Sequence, residues 1–136
     1  MDLNAAMRIA SAGMKVQSAR LRVVSENIAN AESTGATPGA EAYRRKTVIF
    51  GQALDRELGT SLVKVSRYDT DKSDEPMRLD PGNPAANADG YVKMPNVNPL
   101  VELMDMRESQ RSYEANLNAQ SMARSMLEKT ISLLKS

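Results

Sequence analysis

The sequence has no cysteine, no histidine and no tryptophan, and its aromatic content stops at one phenylalanine and four tyrosines. Without Cys and His, disulfide frameworks, thiolate nucleophiles, Ser-His triads and the usual zinc sites are excluded together. Carboxylate, Lys or Tyr chemistry is all that remains open to an enzyme. Charge of one sign is also missing: 18 Lys/Arg against 17 Asp/Glu leave a net +1, too little to draw nucleic acid or an anionic membrane. Long apolar runs are absent. A secretory signal needs about 7–15 uninterrupted apolar residues, and Arg8 and Lys15 break the first twenty positions. Nothing approaches the roughly 18 residues of a membrane span. Neither a cleaved signal nor direct membrane insertion is expected, so export from the cytosol would use another route. The missing cysteines fit a reducing or an oxidising compartment equally.

Proline and glycine are unevenly spread. All six prolines lie between Pro38 and Pro99, and six of the seven glycines lie between Gly35 and Gly90, with Gly13 the exception. Proline costs about 3 kcal/mol inside a helix and glycine about 1, so the ends of this 136-residue chain are predicted to be helical. The division is 1–35, 36–98 and 99–136: a helix, a small irregular β insert and a second helix. The fold class is α+β, with long N- and C-terminal helices paired as a coiled coil.

From Leu3 to Ala29 the seam reads Leu3, Met7, Ala10, Met14, Gln17, Leu21, Val24 and Ile28. These alternating steps of four and three mark a left-handed helix pair. Asp2 is a suitable N-cap, and the helix would be about 40 Å long. The second helix starts at Asn98-Pro99, cap and first helical position, and would run for about 55 Å. Its seam is Leu103, Met106, Gln110, Tyr113, Leu117, Gln120, Leu127, Ile131 and Leu134. A second stripe of Ala115, Ala119, Met122, Met126 and Leu133 widens the apolar face. The middle offers strand-like stretches at 43–50, 61–68, 76–80 and 90–94, with turn-forming loops at 69–76 and 80–84.

One seam against one partner buries few large side chains, while ordering each residue costs backbone entropy. Small residues off the seam, Ala5, Ala6, Ala12, Ala19, Ala29 and Ser11, Ser18, Ser25, allow further helices to approach closely. The terminal helices are therefore expected to order fully only in an assembly. Two amphipathic helices could instead grip a client, which is the reading as a helical regulator or export chaperone. Tyr113 is expected to be core, its hydroxyl reaching Gln17 or Gln110.

The stretch Ser25–Gly35 resembles the signature that closes the first helix of bacterial flagellar axial proteins, Ala-Asn-x-x-Thr-x-Gly-Tyr. Ala29, Asn30, Ser33, Thr34 and Gly35 match, and the tyrosine follows an insertion, at Tyr43-Arg44. The likeness continues through Asp80–Pro84, through Ala88–Asn98 with Gly90, Tyr91 and Asn98, and through Arg111–Leu117. The inserted loop is similar to that of the proximal rod branch of the family. This resemblance implies a structural subunit of the basal-body rod, which spans the periplasm, with terminal helices stacking into a hollow helical drive shaft for motility. It implies copies of itself and other proximal and distal rod proteins as partners, passage through the flagellar type III export apparatus, and no cofactor. Asn30 is expected either to cap the helix in left-handed geometry or simply to be a polar loop residue.

Other chemistries fit poorly. Asp69-x-Asp71-x-Ser73 opens like a calcium loop, but Asp74 stands where the sharp turn requires Gly and Asp80 where Glu belongs. No paired carboxylates sit in an aromatic cleft, so no enzyme is expected. Arg44-Arg45-Lys46 is a weak phosphate footprint and is expected to form salt links between subunits, to acidic residues such as those at 69–75.

Overall fold

The computed structural model describes residues 2–136. The order of elements is helix α1 (Leu3–Ala29), strands β1 (Lys46–Asp55), β2 (Thr60–Thr70), β3 (Met77–Leu79) and β4 (Tyr91–Lys93), and helix α2 (Pro99–Lys135). This is the expected α+β class, with two long helices that pack together and a small β insert between them in the sequence.

The helix ends follow local chemistry. Asp2 Oδ1 accepts the amides of Asn4 (2.9 Å) and Ala5 (3.3 Å), which satisfies two otherwise unpaired donors of the first turn. At the other end Asn30 Nδ2 donates to the carbonyl of Glu26 at 2.9 Å. Asn30 thus caps a carbonyl, but not in the left-handed form, since no non-glycine residue among those described has a positive φ. Helix α2 opens as its sequence predicts: Asn98 Oδ1 accepts the Leu100 amide at 3.1 Å, with Pro99 first in the helix.

Strands β1 and β2 form a two-stranded sheet, antiparallel because four residues are too few for a parallel crossover. Asp55 Oδ1 closes their turn by accepting the Glu57 and Leu58 amides. Strand β1 starts three residues later than its pattern suggests and continues through Gly51 to Asp55, while β2 reaches Thr70, inside the expected loop. The Asp71 amide donates to the Arg45 carbonyl at 2.8 Å, prolonging the ladder there. Strands β3 and β4 pair antiparallel with Arg78 opposite Val92.

The chain divides into two compact units. The first comprises the chain to Leu21, Val48–Arg67 and Arg107–Ser136. Its buried side chains are small: Ala10, Val16, Ser109 and Ala123. Arg8 ties the β1–β2 turn to α1 through Asp55 (3.1 Å) and Glu57 (3.0 Å). The second unit comprises Arg22–Thr47 and Tyr68–Met106. Here Ala85, Val92 and Met94 form an apolar cluster, and the loops around it are held by asparagines. Asn87 Oδ1 accepts the Asp89 and Tyr91 amides, and Asn96 bridges the Arg45 amide to Asp71 and Ser73 carbonyls. Gly90 sits at φ 82°, where a Cβ would also lie 3.1 Å from Pro81.

Candidate functional site

In the first unit, α1 and α2 run antiparallel: Arg20 meets Glu108 (3.8 Å) and Gly13 faces Asn116. A Cβ on Gly13 would fall 2.6 Å from Asn116 Oδ1, so the helices approach as closely as the missing side chain allows. On α2 the inward positions recur every seventh residue: Glu102, Ser109, Asn116 and Ala123. Glu102 and Ser109 are fully buried and Ala123 nearly so. The inner face of this helix is therefore small or polar.

The large apolar side chains point elsewhere. Of the seam positions read from the sequence, Ala10 and Val24 are buried, while Leu3, Met7, Met14, Gln17, Leu21 and Ile28 are half-buried. On α2, Met106, Tyr113, Gln120 and Leu127 are half-buried, whereas Leu103, Gln110, Leu117, Ile131 and Leu134 are exposed. Exposure reaches 76% at Leu133 and 82% at Leu134, and Met122 and Met126 are also exposed. The observed pairing brings Leu3 level with about Met126, so the last turns of α2 extend past the start of α1. A depression of about 450 Å³ lined by Met7, Leu117, Gln120, Ser121 and Arg124 lies along this pair. Gln17 Oε1 is buried with no hydrogen-bond partner, so the expected bond from Tyr113 is not formed.

The second unit gathers a polar cluster that sequence reading missed. Asn27 is fully buried and uses its whole amide. Nδ2 donates to the Lys46 carbonyl (2.8 Å) and to Glu102 Oε2 (3.1 Å). Oδ1 accepts the Tyr43 hydroxyl (2.9 Å) and the Lys46 amide (2.8 Å). Glu102 takes a charge-assisted bond from Arg45 Nε, and Arg45 also faces Asp105 (3.5 Å) and Asp71 (4.0 Å). Lys46 Nζ pairs with Glu26. Burial, then the charges of Glu26 and Glu102, push the Tyr43 hydroxyl up to about 12, so it stays a donor. This recruitment turns Tyr43 inward and explains why the strand begins only at Lys46. The basic triplet, which its sequence suggested would link subunits, has acidic partners within the chain, with Arg44 on Glu75 (3.5 Å).

The remaining matched positions are structural. Ser33 donates to Asn30 Oδ1, Thr34 Oγ1 accepts from Asn83, and a Cβ on Gly35 would strike Ala40. Tyr91 is exposed opposite Leu79, and Ala29 is exposed. A surface ion pair, Lys93 with Glu41 at 2.6 Å, holds that carboxyl below and that amine above their usual ranges. Asp71 is lowered too, chiefly by the Ser73 amide, so the acidic loop spends its oxygens on its own turn. Among the described residues no group of His, Cys, Asp or Glu is arranged to hold a metal ion, and no helix is long and apolar enough to cross a membrane. An open cleft of about 600 Å³ is lined by Arg22, Glu26, Lys46, Tyr68 and Asp69, with both signs of charge.

Residues 7–37 match the family described as flagella basal body rod protein, and residues 88–133 match the flagellar basal body rod FlgEFG protein C-terminal family. The chain is 57% identical to the flagellar basal-body rod protein FlgC of Agrobacterium fabrum, over 98% of this chain and 96% of that one. It is 40% identical to FlgC of Salmonella typhimurium over 92% of each chain. Against FlgC of Bacillus subtilis identity is 37%, over 95% of this chain and 96% of the relative.

Proposed function

Because the chain belongs to the FlgC family of flagellar basal-body rod proteins, we propose that it builds the proximal rod by stacking the outward faces of its two terminal helices against neighbouring subunits. It is a structural subunit of the basal-body rod. In our reading 1–35 and 99–136 are the rod core, and 36–98 is an insert carried outside the core. The seam positions Leu103, Leu117, Ile131 and Leu134, with Met122, Met126 and Leu133, are assigned to contacts between subunits, either copies of this chain or other rod proteins. Delivery is assigned to the flagellar type III apparatus, and no catalytic role is assigned.

The distribution of side-chain size carries this reading. The helix pair closes on Gly13, Ala10, Ser109, Asn116 and Ala123 and leaves Leu117, Met122, Met126, Ile131, Leu133 and Leu134 of α2 exposed. Exposed apolar surface of that extent marks an interface. The test replaces Ile131 and Leu134 by Asp. The variant is expected to keep the thermal stability of the parent subunit, to fail to co-sediment with purified partner rod subunits, and to leave a strain lacking the native protein non-motile. Undiminished co-assembly would refute the reading.

A further inference from the structure

The helix seam of this protein carries little information about its own alignment. Its inward positions on α2 repeat at seven residues, and three of the four are small or short: Ser109, Asn116 and Ala123. If α2 slid by one heptad, Ser109 or Ala123 would come level with Gly13. Both are shorter than Asn116, so shape at this closest approach would not oppose the slip. The ion pair of Arg20 with Glu108 is too exposed to decide the matter, since Glu108 is 68% exposed.

Glu102 breaks the repeat. It is the one charged member of the heptad and is 0% exposed. Its carboxylate is acceptable only where Arg45 and Asn27 meet it, because an ion buried without partners is strongly disfavoured. Asn27 in turn has all four amide positions filled from two separate stretches of chain, Tyr43–Lys46 and the start of α2. Any displacement of α2 along α1 strands a buried carboxylate and an amide together. We propose that Asn27, Arg45 and Glu102 form a register lock: positioning residues that select one alignment of α1 against α2, and hence how far the end of α2 projects past the start of α1. Each helix is a ruler of 1.5 Å per residue, so one fixed pair fixes all the others. A buried polar group that specifies coiled-coil alignment at some expense of stability is the physical precedent.

The chain contains no cysteine, which allows register to be read directly by disulfide formation in the full-length subunit. Gly13→Cys with Asn116→Cys reports the observed alignment, since a Gly13 Cβ lies within 2.8 Å of the Asn116 side chain. Gly13→Cys with Ser109→Cys, and Gly13→Cys with Ala123→Cys, report slips of one heptad either way. With the lock intact, only the first pair is expected to close. Glu102→Ala completes the small-residue repeat and is expected to lower the ratio of observed to slipped cross-links at least tenfold. Asn27→Leu with Glu102→Leu fills the site with apolar volume and should do the same, while Glu102→Gln, which keeps an acceptor for Asn27, should restore part of the ratio. An unchanged ratio in either helical variant overturns the proposal. Loss of helix in both also overturns it, because the cluster would then be supplying stability and not alignment. None of these readouts requires rod assembly.

Discussion

Gly13 is the one glycine inside a helix of this chain, and its replacement tests how the two helices meet. Gly13→Ala improves helix propensity by about 1 kcal/mol. The new Cβ, however, would lie 2.6–2.8 Å from three atoms of the Asn116 side chain. Asn116 would have to rotate away and give up its 2.8 Å bond to the Ser112 carbonyl. Overpacking costs about 1–3 kcal/mol and the lost bond about 1, so after the propensity gain the expected net loss is about 1–3 kcal/mol. In an Asn116→Ala background the obstruction is gone, and the same substitution should raise stability by up to about 1 kcal/mol. The sign therefore reverses, with a coupling of about 2–4 kcal/mol in a double-mutant cycle. Urea unfolding of the four proteins, followed by far-ultraviolet circular dichroism, measures it. A Gly13→Ala gain of the same size in both backgrounds would show that the helices do not approach at this point.

Tyr43 should titrate near pH 12, two units above an ordinary tyrosine. Its proton is held more tightly when folded, so stability should fall as pH rises from about 10 to 12, and Tyr43→Phe should remove that increment in an ultraviolet titration. At the acid end, Glu41, Asp55 and Asp71 are all lowered. Their contribution is present above the usual carboxylate range and is lost as pH falls through their folded values, and Asp71→Asn should flatten that acid limb in thermal melts. The dilute subunit should show less helix than its 27- and 37-residue helices would give, because the turns after Met126 lack a partner, and added rod subunits should restore the signal. A full helical signal at high dilution would contradict this.

Much of the fold was legible because its causes are local. Proline and glycine are crowded into the middle, and Asp2 and Asn98 cap their helices through the adjacent amides, as their types and positions indicate. The start of β1 was not legible, because Tyr43 has a strand-like side chain whose hydroxyl is claimed by Asn27, sixteen positions away. Glu102 reads in sequence as a favourable charge at a helix N-terminus, yet it is fully buried. Only the return of the chain past Arg45 explains that. The inner face of α2 was hidden for a different reason. Hydrophobic periodicity weights large side chains, whereas the inner positions are Glu, Ser, Asn and Ala. Gly13, retained within a helix at a cost in propensity, was the available sign of a close approach opposite.

This inversion bears on where the folding free energy of the helices lies. Burial of apolar surface is worth about 0.8 kcal/mol per methylene, so the buried Ala10, Ala123 and Ser109 contribute little. Leu117, Met122, Met126, Ile131, Leu133 and Leu134 hold far more of that surface, and all six are exposed in the single chain. In the proposed assembly, neighbours that cover these six side chains would release the hydrophobic driving force they hold. Small residues inside let the helices approach, and in the proposed assembly the large ones outside call for neighbours. On the proposed assembly such a subunit would gain much of its order at the growing end, while its polar cluster, already satisfied within one chain, would give each arriving copy the same internal alignment to present.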